Sequence, residues 1–380
     1  MNSYKLYITG PQKYFPNGPA EMRMYKAVAE YYGFEVINDL SYLENGLVEY
    51  EPIDRSFLDD CDIVIADVNP FRGGEPESST IFDLGIAFAK KKKIYTHVHD
   101  MRDVIHKYPY ARYNENGKVI DEHGLKYADG YTLGNLMYMV PGKMVEGGFI
   151  ECLRTLMIDL IEEEKARGQR IIPAEDHRAD PTWPVEPGKW RAYLAGTECF
   201  MVEARAYGDW MQSICRKYNF EGIFPPDVAP DLAWPTEEEM QNVFTRSAFF
   251  FDRDQLHIRN SNLVIANLNP YHGHEPDSGT VFEAGMGFGL GYPCYGFISD
   301  NRPLIERINC LKGDDGKYRD VEKYLVEDYG FPLAARLATC VKLIHGDFTK
   351  AARTVAAELG VYRDTTEPTA PQTAAERRAL

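Results

Sequence analysis

The sequence contains two copies of one long motif, and this duplication limits the folds that the chain can adopt. Residues 62–88 and 262–288 align without gaps at an offset of 200, and 13 of the 27 aligned positions are identical. The chain has 380 residues, so each copy belongs to a unit of about 170 residues, the size of a domain. A repeat of this size indicates two fused domains, because solenoid repeats are only about 20 to 50 residues long.

The motif itself predicts a buried strand, a polar loop and a helix. Residues 263–266 are a short apolar run, typical of a strand that is covered on both faces. Pro270 and Gly273 mark the loop. We expect Glu283 in the first turn of the following helix, where free backbone N–H groups favour an ionised carboxylate. A ligand site is one explanation, because α/β sheets bind ligands at this edge. The other is a capping box, in which Thr280 and Glu283 only stabilise the helix start.

The order of predicted elements indicates the fold class. Strands at 4–10, 34–37, 63–66 and 94–98 alternate with helical patterns in the first copy, and the second copy begins with a matching strand at 190–196. Such alternation predicts an α/β protein made of two fused, doubly wound parallel-sheet domains of Rossmann or flavodoxin-like type. Asn-Gly at 116–117 and Asp-Gly at 315–316 predict tight hairpin turns at matching places.

Breaker residues and composition divide the chain into four segments. We expect a first domain over residues 1–168 and a second domain over residues 189–363. Residues 169–188 carry four prolines among charged residues and are predicted to be a linker, and residues 364–380 are predicted to be a disordered tail. Below, the first half and the second half are the parts before and after residues 169–188.

Composition excludes several classes of partner. The formal net charge is −16, which argues against binding of a nucleic-acid polymer. No apolar run is long enough to cross a membrane, and the first residues lead us to expect no signal peptide. The seven cysteines form no CxxC pair, which favours a cytoplasmic protein with reduced thiols. His97 and His99 share one strand face, but the second copy has no matching pair, so we expect neither a metal site nor a cofactor.

Several of these motifs resemble the nucleoside 2-deoxyribosyltransferases and related nucleoside N-glycosidases. The resemblance extends over most of both halves and is carried by YLAG at 193–196, by Asp254 eight residues before Asn262, and by DSGTVFEAG at 277–285. It implies a doubly wound α/β sheet and subunits that pair closely, which leaves a homo-oligomer of the tandem chain open. It also implies site residues: Glu283 as nucleophile, Tyr193 orienting it, Asp277 and Asp254 contacting the base, with Gly196 and Gly279 in the binding motifs.

Cleavage of an N-glycosidic bond explains why these residue types occur together. A carboxylate such as Glu283 can trap the oxocarbenium-like sugar as a covalent ester. The leaving base needs a proton, and Asp277 in a pocket with several carboxylates can donate it. The family implies transfer of 2-deoxyribose from a 2′-deoxynucleoside to a free purine or pyrimidine base. Hydrolysis of a nucleoside or of its 5′-monophosphate is one alternative, and a non-catalytic nucleotide-binding protein is another. We expect Glu198 to repel a phosphate, which favours free nucleosides.

The two copies lack complementary parts of the family pattern. In the first copy, Asp83 stands where the second has Glu283, and its carboxylate is one methylene shorter. The family resemblance also includes an Asn-Leu-Met motif whose asparagine reaches the neighbouring subunit's site and binds the sugar 5′-hydroxyl. The first copy has this asparagine at Asn135, whereas the second copy has Ala335. We therefore expect one composite site, to which the first half donates Asn135. The alternative is that Asn135 only caps or packs its helix.

Overall fold

The computed structural model describes residues 4–38, 56–108, 110–127, 134–166, 183–230 and 232–362. The predicted tail at 364–380 and most of the predicted linker, residues 169–182, lie outside these ranges. In the described part of the chain, every helix is too short or too polar to cross a membrane.

The first half contains a parallel sheet of five strands in the order β2-β1-β3-β4-β7. A two-stranded antiparallel hairpin, β5 and β6, lies outside the sheet. The strands are β1 (Lys5–Thr9), β2 (Glu35–Val36), β3 (Ile63–Asp67), β4 (Lys93–Val98), β5 (Arg112–Tyr113), β6 (Val119–Ile120) and β7 (Lys143–Glu146). The helices are α1 (Gly18–Tyr31), α2 (Ser56–Asp60), α3 (Ser78–Ala89), α4 (Val104–Lys107), α5 (Leu136–Met139) and α6 (Phe149–Ala166).

The second half repeats this sheet in the equivalent order β9-β8-β10-β11-β15, again with parallel strands, and its hairpin has a third strand. The strands are β8 (Arg191–Ala195), β9 (Glu221–Ile223), β10 (Leu263–Asn267), β11 (Cys294–Ile298), β12 (Cys310–Lys312), β13 (Tyr318–Asp320), β14 (Leu325–Val326) and β15 (Lys342–His345). The helices are α7 (Ala204–Lys217), α8 (Val243–Arg259), α9 (Ser278–Gly289), α10 (Leu304–Arg307), α11 (Ala335–Cys340) and α12 (Phe348–Glu358).

The predicted fold class is confirmed, because each half has the flavodoxin-like strand order with helices on its sheet. All residues of β3 and β10 are buried, as expected for central strands with both faces covered. The two predicted hairpin turns are also present, and Gly117 and Gly316 adopt the positive φ values of 72° and 77° that such turns need. The helix before β10 begins at Val243 and so extends into residues 225–250, which the sequence predicts to be a longer loop in this half.

The two halves pack through their repeated motif. Helices α3 and α9 lie against each other so closely that a Cβ atom on Gly85 would lie 2.1 Å from the carbonyl oxygen of Phe282. The reciprocal distance, from Gly285 to the carbonyl oxygen of Phe82, is 2.3 Å. Only glycine permits this backbone contact, which explains why both copies carry it. The apolar residues around the two helices form one core that both halves share. The loops before α3 and α9 are therefore held close to the opposite half.

Candidate active site

The proposed nucleophile, Glu283, lies deeper in its helix than the sequence predicted. It is the sixth residue of α9, so it belongs to the second turn, and the expectation that it lies in the first turn is wrong. Its side chain is buried, and the Tyr193 hydroxyl donates a hydrogen bond of 2.5 Å to its Oε1. Burial and the nearby Asp254 and Asp277 carboxyls raise the pKa of Glu283, whereas the Tyr193 hydrogen bond lowers it. Tyr193 thus compensates in part for the missing effect of the helix start.

Asp277, rather than Thr280, caps the start of α9. The Oδ2 atom of Asp277 accepts hydrogen bonds of 2.7 Å from both the backbone N–H and the hydroxyl of Thr280. The predicted capping box of Thr280 and Glu283 is therefore wrong, and Glu283 makes no cap. Burial and the negative charge of Glu75 raise the pKa of Asp277 to about 6, against the hydrogen bonds from Thr280 that lower it. A carboxyl with such a pKa can carry a proton near neutral pH.

Asp254 lies on α8, as expected, but it has a cationic partner that the sequence analysis missed. Nε and Nη2 of Arg253 lie 3.0 and 2.9 Å from Oδ1 of Asp254, and both side chains are nearly buried. Burial raises the pKa of Asp254 to about 6, although the Arg253 charge favours its ionised form. The sequence could have indicated this pair, because Arg253 and Asp254 are consecutive residues and such side chains on a helix can still bend towards each other.

These side chains surround one cavity of about 200 Å³ that both halves line. Gly196 and Gly279 lie in its wall, together with Glu283, Asp277 and Asp254. A Cβ atom on Gly196 would lie 2.1 Å from Oε2 of Glu198, so a larger residue there would displace that side chain. The remaining lining residues are Lys126, Asn135, Leu136, Met137, Cys199, Phe200, Pro225, Pro226, Phe250, Arg253 and Thr280.

Asn135 reaches this cavity from the first half. It is the N-cap of α5, where its Oδ1 accepts a hydrogen bond of 3.0 Å from the Met137 N–H. At the same time its Nδ2 donates to Oδ1 of Asp277 at 3.3 Å. The side chain therefore caps its helix and also extends its amide into the pocket of the other half. Both interpretations of Asn135 that the sequence left open are present in its geometry.

Glu198 does not face the cavity, so the argument that it repels a phosphate is wrong. Its Oε1 accepts a hydrogen bond of 2.9 Å from Nδ2 of Asn267, and it is absent from the cavity wall. Burial raises the pKa of Glu198, which favours its uncharged form. The charged side chains that do line the cavity from outside the carboxyl cluster are the cations Lys126 and Arg253.

The matching pocket of the first half contains a different set of groups. Tyr7 donates to Oδ2 of Asp83 at 3.0 Å, in the same way that Tyr193 donates to Glu283. Here, however, the Arg336 guanidinium from the second half pairs with both oxygens of Asp83. The sequence offered a signal for this pairing, because Arg336 follows Ala335, the residue at the position of Asn135.

No group of three or more histidine, cysteine, aspartate or glutamate side chains is arranged to hold a metal ion in the described ranges. The carboxyl cluster of Asp254, Asp277 and Glu283 instead contains a tyrosine, an arginine and a carboxamide as its polar neighbours. Such a site is suited to acid–base and nucleophilic chemistry, since three buried carboxyls that share a pocket cannot all be ionised.

Comparison with known proteins gives two matches to one family model. The model of the nucleoside 2-deoxyribosyltransferases matches residues 6–137 and again residues 192–335. Among solved structures, a 2-desoxiribosyltransferase from Leishmania mexicana is similar at 22% sequence identity and a TM-score of 0.34; the alignment covers 44% of this chain and 97% of that chain. No curated protein matches the sequence significantly.

Proposed function

Because the chain belongs to the nucleoside 2-deoxyribosyltransferase family, we propose that it transfers 2-deoxyribose between nucleobases at the cavity shared by its two halves. The observation that carries this proposal is the grouping of Glu283, Asp277 and Asn135 around one cavity. These residues supply a nucleophile, a proton donor and a polar group for the sugar. The substrates are 2′-deoxynucleosides and free purine or pyrimidine bases.

The first step forms a covalent sugar ester. The Glu283 carboxylate bonds to C1′ of the deoxyribose while the bond from C1′ to the base nitrogen breaks. The electrons of that bond go to the base, and the Asp277 carboxyl gives its proton to the base nitrogen. The Tyr193 hydroxyl, 2.5 Å from Oε1 of Glu283, holds the nucleophile in one orientation. In the second step an incoming base attacks C1′, Glu283 leaves as a carboxylate, and Asp277 recovers a proton.

Asp254 and Arg253 are suited to hold the base. Oδ1 of Asp254 is already bound by Arg253, so the pair offers a hydrogen-bond acceptor next to a guanidinium donor at the cavity wall. A nucleobase edge presents a donor beside an acceptor in the same manner. Asn135 is suited to bind the sugar 5′-hydroxyl, because its amide lies beside Asp277.

Hydrolysis of a nucleoside 5′-monophosphate is the second candidate, and one observation favours it. Lys126 of the first half lines the cavity, and the ammonium group of a lysine is a suitable partner for a phosphate. Water would then replace the incoming base in the second step.

One set of incubations separates these activities. We expect 2′-deoxyinosine and adenine together to yield 2′-deoxyadenosine and hypoxanthine, which chromatography resolves. Free hypoxanthine and sugar without a new nucleoside would support hydrolysis, and a faster reaction with 2′-deoxyinosine 5′-monophosphate would support the second candidate. Inosine should react more slowly than 2′-deoxyinosine, because the 2′-hydroxyl destabilises an oxocarbenium-like state. If none of these substrates yields a product, the proposed function is contradicted.

A further inference from the structure

A carboxylate of the first half holds the loop that carries Asp277. The Oε2 atom of Glu75 accepts hydrogen bonds from the backbone N–H of Ser278 at 3.1 Å and from its hydroxyl at 2.5 Å. Ser278 is the first residue of α9 and follows Asp277 directly. Both Glu75 and Ser278 are buried. The start of this helix is therefore fixed by two carboxylates, one from each half of the chain.

His272 lies behind Glu75 and links it to a second acidic residue of the first half. Its Nδ1 lies 3.4 Å from Oε1 of Glu75, and its Nε2 lies 3.0 Å from Oδ2 of Asp121. Burial disfavours the charged ring, but Asp121 and Glu75 outweigh it and raise the pKa of His272 to about 9. At neutral pH the imidazolium thus lies between two carboxylates, and its ring stacks on Tyr127 at a centroid distance of 4.7 Å.

The same contacts occur in mirror image near the other pocket, with informative differences. Arg72 takes the place of His272 and donates from Nε to Oδ2 of Asp320 at 2.7 Å. Glu275 takes the place of Glu75 and accepts a hydrogen bond of 3.2 Å from the Ser78 N–H. In both pockets, therefore, a glutamate of one half holds the start of a helix of the other half. The side of the candidate active site has a titratable cation where the other side has a permanent one.

Among the described residues, the titratable groups that interact electrostatically with Asp277 include Glu75, His272, Glu283, Cys199, Tyr138 and Tyr271, and Lys126, Arg253 and Asp254 line the same cavity. The thiol and the two phenols remain uncharged at neutral pH, because burial raises the pKa of each. Glu283 belongs to the site itself. Among the charged groups outside the site, Glu75 and His272 act on Asp277 with opposite sign, and Lys126 is a further charged residue in the wall of the cavity.

We propose that Glu75 is a positioning residue of the candidate active site: it fixes the start of α9 through Ser278 and places its negative charge beside Asp277, which thereby keeps the proton for the leaving base. This inference rests on the proposed function, in which Asp277 is the proton donor. The proton passes from the Asp277 carboxyl to the base nitrogen as the glycosidic bond breaks.

The Glu75→Gln variant separates the charge from the tether. Glutamine can still accept the hydrogen bonds of Ser278, but it has no negative charge. We expect the alkaline limb of the kcat–pH profile to move to lower pH by on the order of one unit. The matched control is Glu275→Gln at the mirror position, for which we expect no shift of the limb. His272→Gln removes the neighbouring positive charge and should move the limb in the opposite direction, to higher pH.

A second readout does not depend on turnover. The ¹³C shift of the Asp277 carboxyl, assigned with Asp277→Asn, should titrate at lower pH in Glu75→Gln than in the wild-type chain. If this shift occurs while no deoxynucleoside reacts, the proposed function fails, and only the effect of Glu75 on the titration of Asp277 stands. An unchanged Asp277 titration in Glu75→Gln, or an equal change in Glu275→Gln, overturns the inference. Should Glu75→Gln not fold, an absent upward shift in His272→Gln overturns it instead.

Discussion

The two related pockets of this chain have the same fold around them, but their central carboxyl groups, Glu283 and Asp83, have different partners. In the second half, Glu283 has a tyrosine hydroxyl as partner and faces a cavity. In the first half, Asp83 has the equivalent tyrosine, Tyr7, but also the Arg336 guanidinium, which bonds to both the carboxylate and the Tyr7 hydroxyl. A carboxylate that already has a buried counterion is a poor nucleophile, because its charge is neutralised before a substrate arrives.

Each half also inserts one side chain into the pocket of the other. The start of α5 brings Asn135 to Asp277, and the start of α11 brings Arg336 to Asp83. An amide leaves the facing carboxyl free to react, whereas a guanidinium forms a permanent ion pair. The two places therefore differ: one is a cavity that both halves line, and the other contains an ion pair that joins the halves.

The largest expected effect comes from Glu283. Glu283→Ala and Glu283→Gln should lower kcat/KM by more than about a hundredfold, since a nucleophile supplies several kcal/mol of transition-state stabilisation. Stability should not fall near neutral pH. Because the folded-state pKa of Glu283 is raised, its ionisation costs stability as pH rises above the ordinary carboxyl pKa, and both variants remove that cost. Steady-state kinetics and thermal melts test this. A variant with near-normal turnover would show that another residue attacks the sugar.

Asp83→Ala should have the opposite effect to the Glu283 variants: it should lower stability strongly and change kcat little. It leaves the Arg336 guanidinium, whose side chain is 17% exposed, without its carboxylate. Removal of one partner of a buried ion pair costs about 3–5 kcal/mol. Urea unfolding and kcat at a temperature well below the melting point are the measurements.

A second substitution serves as the control for Asp83→Ala. Arg336→Leu introduces the residue that stands at the matching position, Leu136, so the double variant should recover much of the lost stability. Loss of turnover in folded Asp83→Ala would place the catalytic carboxylate in the wrong half and refute the composite site.

A smaller loss is expected at Asn135. Asn135→Ala should lower kcat/KM by about 10–100-fold, the 1–3 kcal/mol of a lost polar contact to substrate. Alanine also removes the cap of α5, so Asn135→Ser is the better test, because serine is a good N-cap but has no amide to reach the cavity. If the serine variant has wild-type kinetics while the alanine variant is unstable, Asn135 acts only as a cap.

The sequence was sufficient to predict the fold, because the patterns of the main strands and turns occur in both copies. Buried strands and hairpin turns occur in both halves, and local patterns determine them. Family resemblance gave the residues that surround the cavity, but their roles remain predictions.

Contacts between the halves could not be predicted from either half alone. The bonds from Arg336 to Asp83 and from Glu75 to Ser278 join residues about 200 positions or more apart, so no local pattern contains them. The predicted N-cap of α9 was wrong for a related reason. Thr280 and Asp277 are both good N-cap residues, and only the path of the loop decides which of them precedes the helix.

The smallest expected effect concerns a buried pair of one carboxyl and one amide side chain that occurs in each half. The positions of the carboxyl and the amide are swapped between the two halves. In the first half, Gln12 donates from Nε2 to Oδ2 of Asp67 at 2.6 Å. In the second, Asn267 donates to Glu198 at 2.9 Å, and Oε2 of Glu198 has no partner among the described residues. The carboxyl group therefore lies on strand β3 in the first half and in the turn of residues Thr197–Phe200, after β8, in the second half.

Glu198→Gln should therefore change stability with pH while leaving turnover intact. Burial raises the folded-state pKa of Glu198, so the wild-type chain loses stability as pH rises from the ordinary carboxyl pKa through the raised one. Glutamine does not titrate, and the variant should be more stable at pH 8 by about 1 kcal/mol, the scale of a buried polar group without a partner. This advantage should vanish at acid pH, where Glu198 is protonated in both states. Gln12→Glu is the mirror control: it sets a second carboxyl against Asp67 and should lose stability as pH rises. Urea unfolding at several pH values measures both, and an advantage for Glu198→Gln that does not depend on pH would show that folding does not raise the pKa of Glu198.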